Sequence, residues 1–166
     1  LKILTSLCFN SFLNNNIHVE GIKDIDKEDI NYSKILGYKI KLLGYSELIN
    51  NKIYQRVHPT LIKVSSYVAS IDGVLNAVIL EGKPVGQSII QGEGAGAAAT
   101  TSALVSDISS ILRGNIKFPF SISNKERKYL KFKDISDRLF SAYLRFEVKD
   151  RSGVLSNITN LFSKNS

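Results

Sequence analysis

Five consecutive residues, Gly92-Glu93-Gly94-Ala95-Gly96, are where the sequence most plainly offers chemistry. They follow the second strand of an expected hairpin, 85–91, and open onto an alanine-rich stretch at 97–112, so a strand would deliver the chain through a glycine turn into the start of a helix. Unpaired N–H groups and the positive end of the helix dipole meet at such a place, which favours an anion close to the backbone. The spacing is G-x-G-x-G, and no acidic residue for a ribose follows at the end of a second strand, so this is not the fingerprint of the first strand of a dinucleotide-binding sheet. The same glycines would also serve a tight turn packed against a small-residue helix. Spacing alone leaves both readings open.

Other reactive side chains are sparse. His58 could be a general base, but a lone histidine ahead of Pro59 at a strand end reads first as structural. His18, His58 and Cys8 have no ligand-like spacing, and no metal site is predicted. Cys8 has no partner for an internal disulfide and, lying in an apolar run, reads as a buried small hydrophobe. A reducing cytoplasm is the expected compartment. The net charge of +7 is spread along the chain, and acids interleave with the lysines of residues 23–34. Nucleic-acid binding would need a clustered basic patch with stacking aromatics, and none is expected. The one dense basic run, 125–133, reads as a solvated connector.

The elements that must position the glycines alternate. Leu1, Leu4, Leu7, Cys8 and Phe12 recur at helical spacing. Asp26, with Asp29 three residues on, has the form of a helix N-cap, and that helix should stop at Leu36 before Gly37. Residues 38–45 set Lys39 and Lys41 against Ile40 and Leu42, as in a strand with one wet face. Residues 53–57 should pair with it across Asn50-Asn51, and His58-Pro59 should close that strand. Residues 74–80 are nearly all apolar and are predicted to form an inner strand, returning through Glu81-Gly82-Lys83-Pro84 into 85–91. A helix over 97–112 then ends at Gly114. No stretch approaches the roughly 20 apolar residues of a membrane span, and residues 1–13 are too interrupted for a signal peptide. The 43% of apolar residues suffices for a real core, and the absence of methionine points to a translation start upstream of Leu1.

Several of these motifs together carry a resemblance. Val57-His58-Pro59-Thr60-Leu61-Ile62, then Ala69-Ser70-Ile71-Asp72-Gly73-Val74-Leu75-Asn76-Ala77-Val78, then the glycine string itself resemble the catalytic domain of homoserine dehydrogenases in order and spacing. Glu20-Gly21-Ile22 and the run from Leu36 to Leu43 extend the likeness upstream. It implies an enzyme interconverting aspartate semialdehyde and homoserine with NAD or NADP, on the route to threonine, methionine and isoleucine. It further implies a domain that holds the substrate and pairs two subunits through its sheet, with an N-terminal Rossmann domain outside the chain. In the family the last glycine of the loop, here Gly96, lies against the cofactor; Gly96 and Gly94 are the cofactor-binding candidates. The family's catalytic lysine precedes a Leu-x-Ile-Leu stretch, with which Leu1-Lys2-Ile3-Leu4 aligns. That lysine is expected just before Leu1, so Lys2 is not put in its place and no catalytic residue is assigned.

Beyond Gly114 the composition turns polar and basic through Arg138. Residues 139–149 then alternate as a strand, and Asp150-Arg151-Ser152-Gly153-Val154-Leu155 resembles the first turn of an ACT domain, with Ser152 where proline is usual. The resemblance implies an amino-acid effector there. The expected fold is α+β: a mixed sheet covered by helices over 1–114, a connector at 115–138, and a truncated ACT-like βα unit at 139–166. The expected function is one part of a homodimeric oxidoreductase acting on a small-molecule substrate, inactive by itself; a non-catalytic amino-acid-binding regulatory module is the alternative.

Overall fold

The computed structural model describes residues 1–12, 17–115, 122–134, 136 and 139–164. Part of the expected connector, residues 116–121, 135, 137 and 138, therefore lies outside the described residues. In chain order the elements are α1 (Lys2–Phe9), β1 (His18–Val19), α2 (Lys27–Ile35), β2 (Tyr38–Ile49) and β3 (Lys52–Lys63). A 3-10 turn (Tyr67–Ser70), β4 (Leu75–Gly82), β5 (Gly86–Glu93), α3 (Ala97–Leu112), a 3-10 turn (Asn124–Glu126), β6 (Lys131–Phe132) and α4 (Val154–Lys164) follow. The architecture is mixed α+β. Among the described residues no helix is long and apolar enough to cross a membrane.

The first sheet is built on the β2–β3 hairpin. Asn50 and Asn51 both take positive φ, 47° and 61°, as a two-residue type I′ turn demands, and they set the register from Ile49 opposite Lys52 to Tyr38 opposite Lys63. β1 and β6 both lie parallel to β3, so the sheet is mixed. Ile53 and Tyr54 of β3, each 1% exposed, form its core. The expectation that Pro59 closes this strand is overturned: β3 runs on to Lys63, with Pro59 opposite Leu42. Along an antiparallel strand alternate residues turn their backbone groups to opposite sides. The carbonyl of Val57 accepts from Glu20 N–H on the β1 side, so Pro59, two residues on, faces that same side and its missing N–H leaves the ladder to β2 intact.

α2 begins as expected. The Asp26 carboxylate accepts from Asp29 N–H at 2.9 Å and the Asp29 carboxylate from Asp26 N–H at 3.1 Å. The helix stops at Ile35, with Gly37 at φ 79°. α1 is less regular in its packing. It buries Thr5 and Ser6 while Ile3, Leu4 and Leu7 are exposed, and Cys8, expected inside, is exposed with them. The polar side is inside because the basic run folds onto it: Arg127 donates to Ser6 Oγ and to the Ser11 carbonyl, both at 2.6 Å, and its guanidinium stands over the Phe12 ring.

That contact corrects only the solvated half of the reading of 125–133: the connector packs against α1 and the first sheet. Lys128 N–H donates to the Asn10 carbonyl, Phe12 N–H to the Lys128 carbonyl, and β6 joins the sheet beside Lys52 and Ile53. The strand expected over 139–149 is also absent, because no neighbouring backbone pairs with it among the described residues. Its alternating side chains are used differently. Phe140 lies under the Arg56 guanidinium, Tyr143 Oη donates to Asp29 at 3.2 Å, and Arg145 donates to Asp29 at 2.8 Å and to Asp26.

Candidate functional site

β4 and β5 form a separate two-stranded antiparallel sheet, from Leu75 opposite Glu93 to Gly82 opposite Gly86. β4 was expected as an inner strand. Here β5 is its only partner among the described residues, and Val74 at its entry is 57% exposed. The hairpin does what the sequence reading required of it: it delivers the chain into residues 92–96 and thence into α3, whose bounds match the expected 97–112.

The two candidate glycines are needed for different reasons. Gly96 is the N-cap of α3 at φ 113° and ψ 151°, a conformation that a side chain rarely permits, and a Cβ there would meet nothing within 4 Å. The space beside it is open. No side chain caps the helix and no acid stands in its first turn, while the first internal bond there runs from Thr100 N–H to the Gly96 carbonyl at 3.1 Å. The amides of Ala97, Ala98 and Ala99 are thus left without partners inside the helix and face the dipole's positive end. Open space, unclaimed donors and a positive field fit a phosphate-bearing or otherwise anionic group. Gly94 is constrained by protein instead. A Cβ on it would fall 1.8 Å from Nδ2 of Asn76, and its N–H donates to the Val74 carbonyl at 3.1 Å, tying the loop to the first residues of β4.

His58 has a local role: its Nδ1 lies 2.6 Å from the Pro59 carbonyl, to which it donates when it carries a proton. A cluster that the sequence reading missed lies at the entry to β4. Lys39 and Lys41, taken as the wet face of β2, both donate to Asp72 at 2.6 Å, one to each carboxylate oxygen. Hydrogen bonds from Lys39 and then Lys41 hold the Asp72 carboxyl at about 2, below its ordinary 3.8. The period-two spacing of the lysines was visible; the partner 31 and 33 residues away was not.

Residues 1–109 match the homoserine dehydrogenase family model. The chain belongs to the homoserine dehydrogenase family. A homoserine dehydrogenase of Neisseria gonorrhoeae is 36% identical over 99% of the chain, and one of Helicobacter pylori 35% identical over 99%. The chain spans 39% of the length of each of these relatives. In three dimensions it is similar to a crystal structure of a homoserine dehydrogenase from Thiobacillus denitrificans, with TM-score 0.72 and 33% identity over 99% of this chain and 40% of that one. A Staphylococcus aureus homoserine dehydrogenase at pH 6.5 gives TM-score 0.61 and 36% identity over 69% of this chain and 29% of that one.

Proposed function

We propose that the chain is the substrate-binding and dimerisation part of an NAD- or NADP-dependent homoserine dehydrogenase, which interconverts L-homoserine and L-aspartate 4-semialdehyde. The family match over residues 1–109 carries this reading. It also favours the oxidoreductase over a free-standing regulatory module, because the matched residues run from α1 through β5 into α3 and exclude the ACT-like segment. The nicotinamide cofactor, when bound, supplies the hydride acceptor for the carbon bearing the homoserine hydroxyl. Gly96 presents the open N-terminus of α3 to it, and the absence of a Cβ permits close approach of the backbone. Gly94 contributes by keeping the loop seated on Asn76 and Val74. No residue of this chain is assigned to proton transfer; the family's lysine would directly precede Leu1.

In this reading residues 1–114 form the catalytic domain, 115–138 the connector and 139–166 the opening of an ACT domain that takes an amino-acid effector. The enzyme is a cytoplasmic homodimer. The test is homoserine-dependent reduction of NAD+ or NADP+ by the complete polypeptide, with aspartate semialdehyde as product. A purified complete polypeptide that binds a dinucleotide yet leaves homoserine untouched would sink the reading.

A further inference from the structure

The two sheets share no backbone ladder among the described residues; the chain passes from β3 to β4 through residues 64–74. Whatever sets the path of that junction sets where β4, β5 and α3 stand. The junction is gripped at one point by β2, which is itself fixed through its full length against β3. Lys39 Nζ donates to Asp72 Oδ2 at 2.6 Å and to the Ala69 carbonyl at 3.0 Å. Lys41 Nζ donates to Asp72 Oδ1 at 2.6 Å and to the Ile71 carbonyl. Two neighbouring cations on one face of a strand thus hold both oxygens of one carboxylate and two carbonyls of the same short segment. Ala69, 4% exposed, is the buried residue of that segment.

The grip is two residues from the glycine loop's own anchor. Val74 follows Asp72 by two positions, and its carbonyl accepts both Gly94 N–H at 3.1 Å and Asn76 Nδ2 at 3.3 Å. Tyr67, in the same junction, donates through its hydroxyl to Gln91 Oε1 at 2.5 Å, just ahead of Gly92. The junction and the loop are therefore joined by short, direct bonds. We propose that Lys39, Lys41 and Asp72 form a clasp that orients the β4–β5 hairpin and with it the loop of residues 92–96, making them positioning residues for the cofactor. The proposal rests on the reading of that loop as the cofactor's neighbour. Its physical basis is that a misplacement of about 1 Å at a binding group can cost a large factor in rate or affinity, whereas an exposed ion pair by itself is worth little.

The test uses the complete enzyme with Asp72→Asn, with Lys41→Gln as an independent variant and Asp72→Glu as the conservative one. Amide hydrogen exchange across residues 92–100 is read beside the cofactor KM. Asp72→Asn and Lys41→Gln should both speed exchange in that segment while leaving β2 and β3 at wild-type protection, and should raise the cofactor KM roughly three- to tenfold, with Asp72→Glu between them and wild type. Wild-type exchange at 92–100 in both variants overturns the clasp. The underlying reading is judged separately: if Gly96→Val leaves the cofactor KM unchanged, the loop is not the cofactor's neighbour, whatever the exchange data show for Asp72.

Discussion

At the scale of single residues, the two glycines make opposite predictions. Gly96→Val puts a β-branched side chain at φ 113° and into space that the chain itself leaves open. If that space belongs to the cofactor, loss of one backbone hydrogen bond to a charged group, about 1.5 to 3 kcal/mol, raises the cofactor KM roughly ten- to hundredfold. A lowered melting temperature beside a wild-type KM would instead return the loop to a packing turn. Gly94→Ala acts on stability, since its Cβ would lie 1.8 Å from Asn76 Nδ2 and the Asn76 side chain must swing aside. Both residues are exposed, so the cost is about 0.5 to 1 kcal/mol. Adding Asn76→Ala, which removes the clashing amide, should recover most of the loss in denaturant unfolding; no recovery would mean that the contact with Asn76 is not the constraint.

At the scale of elements, the N-terminus of α2 is the place where distant segments converge. Asp26 and Asp29 cap the helix reciprocally, and Arg145, more than a hundred positions downstream, donates to both. The guanidinium first, and then the Asp26 amide, hold the Asp29 carboxyl at about 2 against an ordinary 3.8. A carboxyl depressed in the folded chain stabilises fully above its unfolded value and loses that contribution as pH falls through the folded one. The acid limb between about pH 4 and 2 should therefore be shallower in Asp29→Asn than in wild type when unfolding is followed by circular dichroism, and an identical limb would refute the assignment. Asp26→Ala removes the cap proper and should cost about 1 kcal/mol in denaturant unfolding.

At the scale of the whole molecule, the exposed area decides the argument. The chain exposes 13312 Å², whereas a self-contained 18.4 kDa protein would expose about 8,200 Å² by the usual scaling of surface with mass. The excess is apolar in the places that matter: Leu104, Val105, Ile108 and Ile111 on α3, Ile89 and Ile90 on β5, and Ile3 and Leu4 on α1 are all exposed. In the proposed enzyme those faces are covered by the rest of the polypeptide and by a second subunit. The complete enzyme should accordingly sediment as a dimer at micromolar concentration, and a monomer there would remove the second subunit from the account. The 166-residue chain alone should show no saturable NAD(P)H turnover.

What the sequence by itself determined is local. The Asp26–Asp29 cap, the Asn50-Asn51 turn and the bounds of α3 all follow from residues within a few positions of one another, where capping bonds and backbone preference act without help. The glycine loop at the mouth of α3 was legible for the same reason, and several motifs in one order made the family legible. Tertiary structure decided everything that depends on a distant partner. Lys39 and Lys41 became a clasp only because the chain brings Asp72 back to them, and the basic run became part of a sheet only because Lys52 and Ile53 offered it an edge. Pro59 stayed in its strand because of which side its missing donor faces, a property of register that no window of sequence contains. Residues 139–149 kept the alternation of a strand without becoming one, since alternation specifies two faces but a strand also needs a neighbouring backbone to receive its hydrogen bonds.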